Sequence, residues 1–105
     1  MMDTQDFCNR LGLAQAPGAQ EQILLPGEVR LQIDGQGWTA IFEQLAGDDA
    51  AMRASFDLSQ QLPALVPFLT RSGRVGLQWR SRSAVDDAAQ AVLALRAALR
   101  LLVPA

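Results

Sequence analysis

Two alternating segments separated by a short turn constrain the fold of this chain more than any other feature. Apolar residues occupy every second position of both segments: Val29, Leu31 and Ile33, then Trp38, Ala40 and Phe42. A two-residue period places alternate side chains on opposite faces of a strand. The intervening "DGQG" contains the turn residues typical of a β-hairpin. The stretch therefore predicts two antiparallel strands with a shared apolar face.

The second of these strands is apolar on its other face as well. Ile41 and Leu45 are predicted to lie opposite Trp38 and Phe42. Only one of the two faces can pack on the core of a small sheet. The other face and a neighbouring strand edge are suited to an extended peptide, which pairs through its backbone and places alternate side chains in pockets. Ile41 and Leu45 are therefore candidate partner-binding residues.

Two more strands are predicted further along the chain. In residues 51–58, Met52, Ala54, Phe56 and Leu58 alternate with Arg53, Ser55 and Asp57, which predicts a third strand. The segment "RVGLQWRS" alternates in the same way and predicts a fourth strand, with inward-facing Val75, Leu77 and Trp79.

Three helices complete the prediction. "DTQDFCNRLGL" predicts a short first helix, with Asp3 or Thr4 as its N-cap and Gly12 at its C-terminal end. A loop is predicted over 14–21 because "AQAPGAQE" contains a Pro-Gly pair.

Leucine spacing in "SQQLPALVPFLTRSG" predicts a short, irregular helix that Pro63 and Pro67 limit. A long last helix is predicted to begin with a Ser83–Asp86 capping box and to end near Leu102.

The predicted order is therefore α-β-β-β-α-β-α, and the 105 residues provide for one domain, residues 1–105, with one core. An antiparallel sheet of about four strands with one apolar face and three helices to cover it favours a two-layer α+β sandwich.

The last helix carries more apolar residues than one sheet face requires. Leu93 and Leu101 lie outside its main apolar stripe. One interpretation is a broad core face, and the other is a second apolar surface that a partner or a second copy covers. We therefore add Leu93 and Leu101 to the candidate partner-binding residues and expect a homodimer.

The residue types needed for most enzyme mechanisms are missing. The chain has no histidine and a single cysteine, Cys8, so imidazole-based catalysis and thiolate zinc sites are excluded. The acidic pairs Asp48–Asp49 and Asp86–Asp87 are explained by a turn and by a helix N-terminus. We therefore expect a protein that is not an enzyme, with no catalytic residues, no metal and no cofactor.

Charge and hydropathy bound the partners and the compartment. The net charge is −2, and all nine basic residues are arginine. Because binding to a phosphate backbone needs a basic stripe, a nucleic-acid partner is not expected. The N-terminal segment lacks the pattern of a signal peptide, and no stretch approaches the ~18 apolar residues of a membrane span. These patterns predict a cytoplasmic protein with no membrane insertion.

The order of segments resembles that of a known protein family. "RLGL" at the end of the first helix, "EVRLQIDGQGWTAIFE" as a hairpin, "FDLSQQLP" and the Leu/Ala-rich last helix resemble the small acidic class I-like effector chaperones of bacterial type III secretion. The resemblance implies a cytoplasmic α+β homodimer that holds an extended segment of a secreted effector or other secretion-system protein. The predicted order has one strand fewer after the second helix than that family's usual arrangement.

A second resemblance predicts a different local structure. "RASFDLSQQLPALVPFLTRSGRVGLQ" is similar to the C-terminal domain of hook- and needle-length control proteins, which switch substrate specificity at the export gate. That resemblance implies a helix over 50–62 and no third strand, so a helix at 51–58 would remove the main support of the chaperone architecture and favour length control over it. An unrelated structural or regulatory interaction domain is the third alternative.

Overall fold

The computed structural model describes residues 3–13, 21–81 and 87–103. The elements in chain order are α1 (Thr4–Leu11), β1 (Gln22–Leu25), β2 (Val29–Asp34), β3 (Gly37–Ala46), α2 (Asp49–Gln61), β4 (Leu65–Leu69), β5 (Arg74–Arg80) and α3 (Asp87–Leu102). The strands form one antiparallel sheet in the order β1-β2-β3-β5-β4. The predicted α+β class is therefore confirmed, with five strands in place of about four.

Helices cover one face of the sheet, as the hairpin pattern predicts. The buried apolar side chains of the sheet on this face are Val29, Leu31, Ile33, Trp38, Ala40, Phe42, Leu65, Val75, Leu77 and Trp79. They share a face because they are cross-strand partners, for example Trp38 with Trp79. The Trp38 indole N–H also donates a hydrogen bond to the Ala91 carbonyl oxygen, 2.9 Å away, which ties α3 to the middle of the sheet.

The prediction of a strand at 51–58 is wrong, because these residues lie within α2. The Asp48 side chain caps the helix and accepts a hydrogen bond from the Ala51 N–H at 2.8 Å. The buried positions Ala51, Ser55 and Leu58 follow a helical spacing, and Phe56 is exposed. The alternation of apolar residues in this stretch therefore does not correspond to its buried face.

The predicted irregular helix between Leu62 and Gly73 is also wrong, because its centre forms the edge strand β4. Hydrogen bonds join Arg80 N–H to the Ala64 oxygen and Thr70 N–H to the Arg74 oxygen. Hydrogen-bonded pairs alternate along an antiparallel ladder, so Pro67 occupies a position whose backbone nitrogen faces away from β5. A proline is tolerated there because an outward-facing N–H has no partner in the sheet to lose.

Strand β1 was not predicted from the sequence. Its residues "QILL" lack a clean alternation, and only its pairing with β2 defines the strand. The turn between them contains Gly27 and Glu28, both with positive φ (87° and 59°). The described residues thus form three consecutive antiparallel strands before α2, although the set differs from the one predicted.

The remaining predictions concern the helix ends. Asp3 caps α1, and Gly12 ends it in the left-handed conformation (φ 92°), as the sequence indicates. Helix α3 ends at Leu102, as predicted. The Ser83–Asp86 capping box and nearly all of the predicted loop over 14–21 lie outside the described residues. Among residues 3–13, 21–81 and 87–103, no helix combines the length and the apolar character that a membrane crossing requires.

Asp34 organises the turn between β2 and β3. Its carboxylate accepts hydrogen bonds from the backbone N–H groups of Gln36 and Gly37, at 2.8 and 3.0 Å, and forms an ion pair with Arg80 at 2.9 Å. Partial burial disfavours the charged form, but these hydrogen bonds and the Arg80 charge outweigh it and lower the pKa of Asp34 below its usual value of 3.8.

Replacing Asp34 by asparagine is expected to remove a pH-dependent part of the free energy of unfolding. Because the pKa is lowered by folding, ionised Asp34 stabilises the native state above pH 3.8, and this contribution is lost as the pH falls through the lowered value. Urea unfolding at pH 3 to 7 measures the free energy of unfolding of both proteins. The difference between wild type and Asp34→Asn should become smaller as the pH falls. In an Arg80→Gln background the same difference should be smaller, and parallel stability curves would contradict the assignment.

Candidate partner-binding surfaces

The four predicted partner-binding residues do not form one surface. Ile41 lies on the sheet face that the helices leave uncovered, since its neighbours in β3 are the buried Ala40 and Phe42. Leu93 and Leu101 are exposed on α3, in the helix layer on the other side of the sheet. Leu45 belongs to neither surface. The structure therefore gives two separate candidate surfaces.

A bulge in β3 changes the orientation of Leu45. Phe42 is opposite Val75 and Ala46 is opposite Arg74, which are consecutive residues of β5. Residues 43–45 therefore have no partners of their own in β5 and form the bulge. Leu45 lines a small cavity of about 40 Å³ together with Phe42, Leu102 and Val103. The prediction that Ile41 and Leu45 share the face opposite Phe42 is therefore wrong for Leu45, which packs beside the end of α3.

The uncovered face of the sheet carries a row of directly opposed residues, which we name the sheet row. Its members, from one edge of the sheet to the other, are Leu24, Arg30, Ile41, Gly76 and Phe68. Cross-strand partners project from the same face of a sheet. Leu24 is 70% exposed at one end of the row, and Ile41 is partly buried at its centre.

Phe68 is a surface residue that the sequence did not identify. A side-chain carbon at Gly76 would collide with the Phe68 ring, so the ring lies over the glycine, whose cross-strand partner on the other side is Ile41. Such a ring shields a glycine in a strand and restores apolar contact that the glycine lacks. The signal was concealed because Phe68 follows Pro67, and the proline suggested a broken helix.

Polar side chains flank the sheet row on both sides. On one side, Gln78 donates a hydrogen bond to Thr39 at 3.2 Å. On the other side, Glu43 forms an ion pair of 2.9 Å with Arg30, which is itself a member of the row. The sheet row is therefore apolar except at Arg30 and has polar borders, which suits a segment that presents apolar side chains at alternate positions.

The two edges of the sheet differ in their capacity to pair with a further strand. At β4, the outward-facing backbone positions include Pro67, which has no N–H to donate. Immediately before β2, the hydrogen bond from the Glu43 N–H to the Glu28 oxygen shows which residues of β2 bond to β3, and the residues between them bond to β1. The backbone N–H and C=O groups of Gln22 and Leu24 in β1 therefore face away from β2. The β1 edge is therefore the better template for an extended peptide, and it adjoins the Leu24 end of the sheet row.

The second surface is a groove between α2 and α3, which we name the helix groove. Its volume is about 420 Å³, and Leu101 forms part of its wall. Its other apolar lining residues are Ala54, Leu58 and Ala97. Leu93 lies two turns before Leu101 on α3 and is 59% exposed. The predicted pair on the last helix is thus at and beside this groove.

No group with evident reactivity lies at either surface. Cys8 is fully buried in α1, and burial raises the pKa of its thiol, which disfavours the reactive thiolate. Within the described ranges, no three His, Cys, Asp or Glu side chains are grouped as metal ligands. What the described surfaces offer is apolar contact, backbone pairing and charge.

Comparisons with known proteins give no relative for this chain: no family model matches it, and neither a curated protein nor a solved structure does.

Proposed function

We propose that this protein is a non-catalytic, cytoplasmic chaperone of a bacterial type III secretion system that acts as a homodimer. The observation that carries the proposal is the order α-β-β-β-α-β-β-α. The sequence pattern resembled the class I-like effector chaperones but had one strand fewer after the second helix. Strand β4 supplies that strand, so this difference in the order of elements is removed. The first helix, α1, has eight residues and stays very short for that family.

The uncovered sheet face supports the same proposal. An extended segment of a secreted protein can pair with the β1 edge and place apolar side chains along the sheet row, next to Leu24 and Ile41. An unfolded segment loses conformational entropy when it binds, so its affinity depends on a few buried apolar anchors.

Length control at the export gate is the second candidate, and α2 favours it. That resemblance predicts a helix over 50–62, and α2 spans Asp49–Gln61. Two other features of the described residues fit that resemblance poorly: three strands precede α2, and the 16-residue helix α3 follows β5. The helix at 51–58 supports length control, yet we rank the chaperone first because its arrangement accounts for the order of the described elements, including β1 and β4.

Coexpression separates the two candidates. The chain would be produced with each secreted substrate of the type III system of its own organism, and separately with the cytoplasmic domain of the export gate. The chaperone proposal expects a stable complex with the N-terminal segment of one secreted substrate on size-exclusion chromatography. A complex with the export gate alone would favour length control, and no complex with either would refute both proposals.

Replacing Ile41 by aspartate is expected to reduce the affinity for such a segment at least about tenfold, because a charge is placed among the apolar anchors. The fold should be retained, since Ile41 lies on the uncovered face. Titration calorimetry with the copurified segment measures the affinity, and circular dichroism monitors the fold.

The matched control is Gln90→Asp, which adds the same charge at an exposed position of α3 and should leave binding unchanged. Full affinity in folded Ile41→Asp would exclude the sheet row as the binding surface.

A further inference from the structure

Helix α3 carries an apolar stripe that the rest of the described chain leaves largely uncovered. Leu93, Ala97 and Leu101 follow one another at intervals of four residues, which places them on one face of the helix. The two leucines are 59% and 51% exposed. The stripe passes along the helix groove, since Ala97 and Leu101 line it.

Opposite charges line the same groove. Asp57 of α2 and Arg100 of α3 both contribute to its walls, and both side chains are exposed. They form no ion pair with each other or with another described residue. The groove therefore combines an apolar floor with one acidic and one basic group, each without a partner in the described structure.

These charges limit what can cover the groove. A purely acidic partner would leave Asp57 facing a like charge, and a purely basic partner would do the same to Arg100. Burying a charge without an opposite partner is costly, so a good partner presents one acid and one base in reversed order. A second copy of this chain does so when a two-fold axis passes through the groove, because an isologous interface opposes residue i to j and j to i.

We propose that the helix groove is the interface of a symmetric homodimer, in which Asp57 of each protomer pairs with Arg100 of the other and the Leu93–Leu101 stripe is covered. The inference rests on the proposed function, in that it takes the chain to act as a homodimer. It leaves the sheet row, on the opposite side of the sheet, free for the secreted segment.

Charge reversal tests this pairing. Asp57→Arg and Arg100→Asp each place like charges at both symmetric contacts, so each variant should dimerise at least about tenfold more weakly than wild type in sedimentation equilibrium. An equimolar mixture of the two variants should recover a heterodimer of near wild-type affinity. In the mixed pair, the introduced arginine of the first variant meets the introduced aspartate of the second, and the native Arg100 and Asp57 meet at the other contact.

The mixture separates pairing between protomers from an interaction inside one protomer. Recovery in the Asp57→Arg, Arg100→Asp double variant is expected in both cases, whereas recovery in the mixture requires contacts between two chains. Arg53→Asp, a charge reversal on α2 outside the groove, should leave the dimer unchanged. Leu93→Glu, on the stripe, should weaken the dimer while the melting temperature of the monomer is nearly retained.

Three results would overturn the interface: a monomeric wild type at tens of micromolar, charge-reversal variants that dimerise as wild type does, or a mixture that stays monomeric. If the charge-reversal variants dimerise as wild type does, or if the mixture stays monomeric, a secreted segment can still bind. The proposed function then stands with another dimer interface. Heterodimer recovery together with failure to bind any secreted segment would refute the chaperone function and retain the interface.

Discussion

Replacing Trp38 by alanine is expected to lower the free energy of unfolding by about 3–5 kcal/mol. The side chain is fully buried between the sheet and α3, and it opposes Trp79 on the neighbouring strand. The substitution removes one of the two tryptophan side chains of the core and also the indole hydrogen bond to the Ala91 oxygen. Urea unfolding followed by far-ultraviolet circular dichroism measures the change without depending on tryptophan fluorescence.

Trp38→Phe is the matched control for the hydrogen bond. It keeps an aromatic ring in the core but removes the N–H, so the expected loss is smaller, about 1–2 kcal/mol. Trp79→Ala, at a residue that is 5% exposed, should again cost about 3–5 kcal/mol. A loss below about 1 kcal/mol for Trp38→Ala would contradict the packing of α3 on the centre of the sheet.

Replacing Gly37 by alanine is expected to cost about 3 kcal/mol or more, because backbone strain and overpacking act together. Gly37 has a φ of 157°, and a methyl group on it would collide with the carbonyl group of Trp79 in β5. The obstacle is backbone, which a rotamer change cannot move. Strand β5 is held in place by its pairing with Gly37 and by the bond from Ser81 N–H to the Gln36 oxygen.

Gly12→Ala separates the two contributions. Gly12 has a φ of 92°, and among the described residues beyond its two chain neighbours no atom lies within 4 Å of the position that a methyl group would take. The control therefore has the conformational cost of a left-handed residue, about 1–2 kcal/mol, without the collision. Chemical denaturation of both variants gives the comparison. Equal losses would show that β5 is not packed against the turn as described.

The losses expected for Trp38→Ala and Gly37→Ala both concern the hairpin and its strands, which is the part of the structure that the sequence predicts best. The two-residue period of β2, β3 and β5 is local, so the inward positions of these strands could be read directly from the chain. The cap residues Asp3 and Gly12 likewise bound α1 because capping depends on neighbouring backbone groups. The absence of histidine is a property of composition and needs no coordinates.

Two segments were mispredicted because their local patterns were ambiguous. Residues 51–58 alternate like a strand, but Ala51, Ser55 and Leu58 form the buried helical face, and Ser55 gives no apolar signal. Its hydroxyl is satisfied by the Ala51 carbonyl at 2.9 Å, which allows a polar residue to be fully buried. Pro67 suggested an interrupted helix. A strand tolerates a proline only where it lies at a sheet edge and the proline nitrogen faces outward, and the local sequence does not show that position.

The sequence by itself determined the class of the fold, the inward faces of three strands, the ends of α1 and the lack of histidine chemistry, because each depends on neighbouring residues or on composition. Only the tertiary structure decided that Leu45 turns toward α3, that Phe68 lies over Gly76, and that Asp57 and Arg100 share one groove. A bulge, a contact across strands and a groove between helices all join residues that are distant in the chain or displaced from regular periodicity. No local pattern encodes such relations, so the two candidate surfaces became visible only in the folded protein.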